Sequence, residues 1–243
     1  MSKPIQAINR YKADLRELQF LLFEQFKLQD LLGKAPFENW GEAEVRSSLT
    51  ECYRWVREVI GPLNATGDGG CKVVDGRVIT PEGFKDAWKK LYEAGWKSIA
   101  VDPEYGGAGA PHTVQLMIEE MISGSNTAFA MYSGLAYGAS EVIESFGTPE
   151  QKALYCGRMF GGQWGGTMCL TEPQAGSDVG SASTAATRNA DGSYSIRGTK
   201  LFISGGDHDL AENVIHLVLA RVDGAPAGTK GLCLLYTSPS PRD

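Results

Sequence analysis

The strongest constraint in this sequence is a single change of hydrophobic period near Gly162. Before it, apolar residues recur at steps of three and four, which places them on one face of a helix. Leu15, Leu18, Leu22 and Phe26 form one such row, and Val45, Leu49, Cys52, Val56 and Val59 form a second. "TPEGFKDAWKKLYEAG" reads as a helix capped by Thr80, with Pro81 at its first position, Gly95 as its stop, and a buried face of Phe84, Trp88, Leu91 and Tyr92. "GTPEQKALYCGRMFGG" repeats the device, with Thr148 as cap and Gln151 closing a capping box. Between them "TVQLMIEEMISGSN" and "TAFAMYSGLAYGASEVIESFG" predict two further helices, the second small-residued enough to pack closely on several sides.

After Gly162 the period shifts toward two. "STAATRNADGSYSIRGTKLFISGG" predicts a hairpin turned by Asn189, Asp191 and Gly192, and "NVIHLVLARV" a β-branched strand. Helices first and strands second give an α+β chain: an all-α helical domain followed by an antiparallel β domain, with no βαβ alternation. No G-x-G-x-x-G stands between a strand and a helix, so a Rossmann dinucleotide site is disfavoured. The glycine-rich "YGGAGAP" at 105–111 lacks the lysine of a phosphate loop and reads as a connecting turn.

Charge and cysteine usage narrow the function classes. A net charge of −6 over 243 residues offers no basic stripe for nucleic acid. No window reaches the roughly 18 apolar residues of a membrane helix. The N-terminus has no apolar core behind its lysine, so a secretory leader is not expected and a cytoplasmic location is. Cys52, Cys71, Cys156, Cys169 and Cys233 are odd in number, scattered and without C-x-x-C, which speaks against disulfides and zinc. His112, His208 and His216 lack ligand spacing, so no metal site is expected.

Two segments remain that suit a large polar ligand. "MCLTEPQAGSD" supplies hydroxyls at Thr171 and Ser177, glycine at Gly176, a stiffening Pro173, and Asp178 to bond loop amides. "KLFISGG" is expected to end a strand with Phe202, Ile203 and Ser204, which suits the cover of a flat ring with a hydroxyl at its edge. Taken alone, either segment reads equally as a self-satisfied turn or as ordinary strand filling.

Together, in this order, they resemble the flavin-binding core of the acyl-CoA dehydrogenase family. "MCLTEPQAGSD" is similar to the family's T-E-P-x-A-G-S-D signature and "LFISGG" to its aromatic-Ile-Thr/Ser-Gly/Ala-Gly strand. "GWKSIAVDPEYGGAG" and "GTPEQKALY" precede them in family order, and the likeness runs from about Leu49 to Gly231. "YKADLRELQFLLFEQF", "GDGGCKVVDGRVITPEGFKDAW" and "GGDHDLAENVIHLVLARVDGAPAGTKG" resemble the long subfamily with an N-terminal extension, which includes 3-methylmercaptopropionyl-CoA dehydrogenase. Two positions depart from the family pattern: Met168 stands where an aromatic is frequent and Ser204 where threonine is common.

The resemblance implies FAD as cofactor, wrapped by Met168, Leu170, Thr171, Gly176 and Ser177 and covered by Phe202, Ile203 and Ser204. Thr171 would bond the pyrimidine side of the flavin, Ser204 would lie near N5, and Ser177 would also touch the acyl-CoA. It implies α,β-dehydrogenation of an acyl-CoA thioester to the enoyl-CoA, transfer of electrons to an electron-transfer flavoprotein, and a homo-oligomeric full-length parent. Two other readings stay open: a non-catalytic flavin- or acyl-CoA-binding module, and an oxidase or monooxygenase on the same fold.

The expected organisation is a helical extension over 1–40, the helical domain over 41–162 and a β domain over 163–232. The resemblance implies a catalytic glutamate in a further C-terminal helical domain, which this chain is expected to lack, so no catalytic residue is named. Glu172 belongs to the loop signature, and Glu119 and Glu120 read as a solvated helix face. "CLLYTSPSPRD", residues 233–243, breaks the family pattern after Leu232 and reads as a non-native tail joined to a truncated frame.

Overall fold

A computed structural model describes residues 11–237. The start of the chain before Tyr11, and the part of the expected tail after Thr237, lie outside the described residues.

The helical half follows the periodicity, with the apolar row shifted at two π turns. Helix α1 (Leu15–Gln19) starts where the Asp14 carboxylate accepts the amides of Arg16 and Glu17 at 2.9 and 3.3 Å. Its continuation, Phe20–Gln25, is a wider π turn. The extra residue per turn rotates the apolar row. Leu18 and Leu22 are buried as expected, Phe23 takes the next inward place, and Phe26 is left 61% exposed. Helix α2 (Glu42–Trp55) buries Val45, Leu49 and Cys52, and Val56 follows as expected. The next turn, Val56–Ile60, is again π, so Ile60 takes the inward place and Val59 is half-buried. A short α3 (Asn64–Gly67) follows.

Strands β1 (Lys72–Val74) and β2 (Arg77–Ile79) then form an antiparallel hairpin that the helical reading did not anticipate. Asp75 and Gly76 both take positive φ, 49° and 74°, between β-branched residues. This is the pattern of a tight two-residue hairpin.

Helix α4 (Phe84–Glu93) buries Phe84, Ala87, Trp88 and Leu91, with Tyr92 half-buried. Gly83, not Thr80, is its N-terminal flanking residue. Helices α5 (His112–Ser125), α6 (Thr127–Phe146) and α7 (Pro149–Phe160) complete this half. The capping box of α7 forms as predicted: the Thr148 amide donates to Gln151 Oε1 at 2.8 Å, and the Gln151 amide to Thr148 Oγ1 at 3.3 Å.

The second half is a five-stranded sheet of β3 (Trp164–Cys169), β4 (Ala185–Arg188), β5 (Tyr194–Arg197), β6 (Asn213–Val222) and β7 (Leu232–Thr237). The β4–β5 hairpin and its Asn189–Gly192 turn are as predicted, with the Gly192 amide donating to the Asn189 carbonyl at 3.1 Å. The strand directions are not. β3 and β4 both pair parallel to β6, while β7 pairs antiparallel, so the sheet is mixed and not wholly antiparallel. The reason is the connection: the chain makes the whole β4–β5 excursion between β3 and β6, and returns running in β3's direction. β7 occupies one edge of β6 across residues 216–221, which leaves β3 and β4 in tandem along the other. Residues 233–237, read from sequence as tail, are built into β7.

The two halves pack through small residues. Alternate positions of β3 face the helices, and a Cβ on Gly166 would stand 2.7 Å from Ala139 Cβ of α6. Val101, Ile143, Cys156, Met159 and Phe160 join Ile215 and Leu217 of β6 in one apolar cluster across this seam. Trp88 Nε1–H donates to the Gly162 carbonyl at 2.9 Å, which fixes the crossover. No helix among the described residues is long and apolar enough to cross a membrane.

Candidate functional site

β3 ends at Cys169, and the chain enters the hydroxyl-rich loop at the point where the sheet meets α6. The loop folds on itself twice. Glu172 and Ala175 exchange backbone hydrogen bonds at 2.9 and 3.1 Å, closing a tight turn over Pro173 and Gln174. Farther on, the Ser181 hydroxyl donates to Asp178 at 2.5 Å, and a single 3-10 turn spans Val179–Ser181.

Glu172 is the hub. Its side chain is 1% exposed and accepts from Ser183 N at 2.7 Å, Ser183 Oγ at 2.8 Å, Thr184 N at 3.0 Å, Gln174 Nε2 at 2.7 Å and Lys200 Nζ at 2.9 Å. Burial on its own raises this carboxyl's pKa, but the donors from Thr184, Lys200 and the Ser183 amide outweigh it and hold the group well below the ordinary carboxylate range. A carboxylate so heavily bonded is ionised, immobile and unavailable for proton transfer.

Lys200 carries the first segment to the second. Besides Glu172 it donates to the Leu170 carbonyl at 2.9 Å, and the next residue, Leu201, donates its amide to the Thr171 carbonyl at 2.9 Å. The two segments singled out by sequence, about thirty residues apart, therefore meet along Leu170–Glu172 and Lys200–Phe202. Phe202 is not at the end of a strand as expected. Residues 198–203 are irregular, and Phe202 itself has φ +58°, incompatible with extended backbone. The residue is 90% exposed.

The match to family models covers both halves. Residues 72–163 match the acyl-CoA dehydrogenase N-terminal domain and residues 167–241 the acyl-CoA dehydrogenase middle domain. The chain belongs to the acyl-CoA dehydrogenase family. It is 37% identical to the 3-methylmercaptopropionyl-CoA dehydrogenase of Ruegeria pomeroyi, over 92% of this chain and 38% of that protein. It is 40% identical to the broad-specificity linear acyl-CoA dehydrogenase FadE5 of Mycobacterium tuberculosis, over 94% of this chain and 38% of that one. The chain thus spans well under half the length of these curated relatives. Among solved structures, an acyl-CoA dehydrogenase complexed with FAD from Bacillus anthracis superposes with a TM-score of 0.61 at 26% identity, over 82% of this chain and 31% of that one.

Within this acyl-CoA dehydrogenase fold the sequence-predicted positions divide into two groups. Met168 is half-buried, on the face of β3 turned to the helices, and packs against the seam cluster. Leu170 and Thr171 are half-buried and tied by their carbonyls to Lys200 and Leu201. Ile203 is half-buried and accepts the Gly206 amide at 3.1 Å, closing a turn. Gly176, Ser177, Phe202 and Ser204 are exposed. A Cβ added at Gly176 would meet nothing within 4 Å, so the backbone there is open to approach.

Sequence reasoning missed Lys200, the cation that closes the hub, and Arg221. Arg221 Nη2 donates to the Gly180 carbonyl at 3.0 Å and Nη1 to that of Gly228 at 3.0 Å, fastening the far end of the loop. Of the first segment's two acids, Glu172 is the one the structure pairs with the lysine at the head of the second, and the presence of an acid and a base in the two segments was the available signal. Glu119 also corrects the expectation of a solvated face. It is half-buried and pairs with Lys97, which is 1% exposed, while Gln115 Nε2 donates to the same carboxylate at 2.6 Å. Glu120 is exposed as expected. Cys169 is buried, which pushes its thiol up and away from nucleophilic use. The described residues hold no cluster of three or more metal-ligating side chains.

Proposed function

We propose that this chain carries the flavin-facing half of an FAD-dependent acyl-CoA dehydrogenase that converts an acyl-CoA thioester to its enoyl-CoA. The observation that supports this reading most is the joining of the two segments at the end of β3, through Leu201 to Thr171 and Lys200 to Leu170 and Glu172.

The donor set fits a flavin nucleotide. The Thr171 hydroxyl and the backbone from Leu170 to Ser177 would bond its polar edge and phosphate-bearing tail, with the open approach at Gly176 admitting close contact. The exposed Phe202 ring offers an apolar face for the ring system, and Ser204 a hydroxyl at its edge. Ser177 sits on the exposed rim, where it would also meet the acyl-CoA. Met168 contributes backbone, since its side chain is spent on the helix seam. When bound, FAD supplies the hydride acceptor; the protein's part is orientation and exclusion of water.

A thioester α-proton yields only to a base in a dry site with the carbonyl polarised. Glu172 is not that base, because five donors saturate it. Proton removal is assigned instead to a carboxylate outside the described residues. An electron-transfer flavoprotein would accept the electrons, and a homo-oligomer would be the working form. The 3-methylmercaptopropionyl thioester and linear acyl thioesters are both compatible substrates.

Titration of the purified chain with FAD, followed by quenching of flavin fluorescence, tests the assignment. Saturable binding that weakens in Thr171→Val and Phe202→Ala is expected. Absence of binding, or binding indifferent to both substitutions, would overturn it.

A further inference from the structure

Phe202 combines two features that a fold does not keep without cause: a left-handed backbone, φ +58°, on a residue with a bulky side chain, and 90% exposure of an aromatic residue. Such a backbone persists only where surrounding contacts impose it. Here they are imposed from both sides. Upstream, Leu201 and Lys200 are bonded to Thr171 and Leu170.

Downstream, three consecutive residues are gripped by the helical half. Asp207 Oδ2 accepts the amide of Val78 in β2 at 3.3 Å. His208 is buried between the rings of Trp88 (5.9 Å) and Tyr132 (5.3 Å), and a Cβ on Gly165 of β3 would stand 2.9 Å from its Nε2. Its Nδ1 accepts the Leu210 amide at 3.2 Å, and burial pushes the ring's pKa down. Asp209 Oδ1 accepts both the amide and the hydroxyl of Thr80, at 3.0 and 2.7 Å.

Thr80 thus spends on a residue 129 positions away the hydroxyl that its sequence context assigns to a helix cap. Between the two anchors lies only the Ile203–Gly206 turn, in which Gly205 has φ +63° and a Cβ added to it would stand 3.4 Å from Tyr132 and 3.7 Å from Leu135 of α6.

We propose that Thr80, Asp207 and Asp209 are positioning residues: they clasp the 205–209 segment to the β2–α4 junction, hold Phe202 in its left-handed conformation, and so set the face its ring presents to a planar ligand. The consequence for a ligand rests on the flavin reading above; the clasp does not. The clasp couples the helical half to the ring-bearing segment of the sheet half, so that a shift at Thr80 is felt at Phe202.

Hydrogen exchange on the chain, read by mass spectrometry over peptides containing residues 199–206, tests it. Thr80→Val and Asp209→Ala are each expected to speed exchange of this peptide by roughly tenfold, as loss of a hydrogen bond to a charged group would. Helix α7 should keep the parent rate, and Thr80→Ser should restore it in the 199–206 peptide. In a Phe202→Gly background, where the left-handed backbone carries no penalty, Thr80→Val should accelerate exchange much less. Parent-like exchange in both single variants, acceleration spread evenly over the chain, or equal acceleration in the Phe202→Gly background would each overturn the clasp. Fluorescence titration with FAD runs in parallel. If the parent binds no FAD while the peptide still loosens in Thr80→Val, the flavin reading fails and the clasp stands. If the parent binds and Thr80→Val leaves affinity unchanged, the link from clasp to ligand is wrong.

Discussion

Replacing Lys200 with methionine removes the cationic partner of a carboxylate that folding has already taken out of water. The Lys200 and Glu172 side chains are 11% and 1% exposed and stand 2.9 Å apart. Removing one member of a buried pair costs about 3–5 kcal/mol, because the other charge stays behind. Glu172 keeps its bonds to Ser183, Thr184 and Gln174, so the cost belongs at the low end, about 3 kcal/mol. Against a typical total of about 5–15 kcal/mol, that is a large fraction of the chain's stability.

Urea unfolding at neutral pH, followed by far-UV circular dichroism and extrapolated linearly, reads this directly. A second arm uses linkage. The folded-state pKa of Glu172 lies below its unfolded value, so its contribution is fully present above about pH 4.3 and is lost as pH falls toward the folded pKa. Glu172→Gln should therefore flatten the acid limb of the stability profile relative to the parent. The double variant Lys200→Met with Glu172→Gln should recover part of the single-variant loss, since no charge is left unpaired. A Lys200→Met cost below about 1 kcal/mol would refute the hub and class the pair with weak surface ion pairs.

Other outcomes follow from single contacts. Gly166→Val should lower stability by about 1–3 kcal/mol through overpacking, read by thermal unfolding, because its new Cβ would lie 2.7 Å from Ala139 Cβ. Thr148→Ala should cost about 1 kcal/mol through loss of the α7 capping box, and Thr148→Ser almost nothing, by the same assay. Phe202→Gly should leave stability unchanged or raise it by about 1 kcal/mol, since glycine accepts φ +58° freely, while FAD affinity falls in fluorescence titration. A drop in stability with unchanged affinity would reverse the roles assigned to that residue.

What the sequence discloses about this fold follows the range of the interaction concerned. The α7 capping box is legible because both partners lie within three residues. The β4–β5 turn is legible because Asn189, Asp191 and Gly192 bond their own neighbourhood. Strand direction is not legible, since a period of two is the same for parallel and antiparallel pairing; only the length of the path from β3 to β6 decides it. The β1–β2 hairpin carried a local signal, Asp75-Gly76 between β-branched residues, that helical neighbours on both sides obscured. Thr80 is the instructive failure: a hydroxyl before a proline is the correct chemistry for a cap, but Asp209 offers it a charged acceptor, whereas Gly83 needs no side chain to begin α4. Glu119 fails likewise, because Lys97 is buried 22 residues away.

The signature loop shows the same division within one motif, and this bears on its use. Most of its residues from Thr171 onward are polar or small, but the structure separates them by partner. Glu172 and Asp178 spend their oxygens on Ser183, Thr184 and Ser181 farther along the loop and, for Glu172, on Lys200 of the second segment. Gly176, Ser177, Phe202 and Ser204 are turned outward around the point where the two segments join. A loop built only to turn the chain would satisfy its polar groups and leave no aromatic in strained backbone facing solvent. The rigid inner set carries the cost of presenting the outer set, and removing an inner residue should therefore lower stability and affinity together, whereas removing an outer one should lower affinity alone.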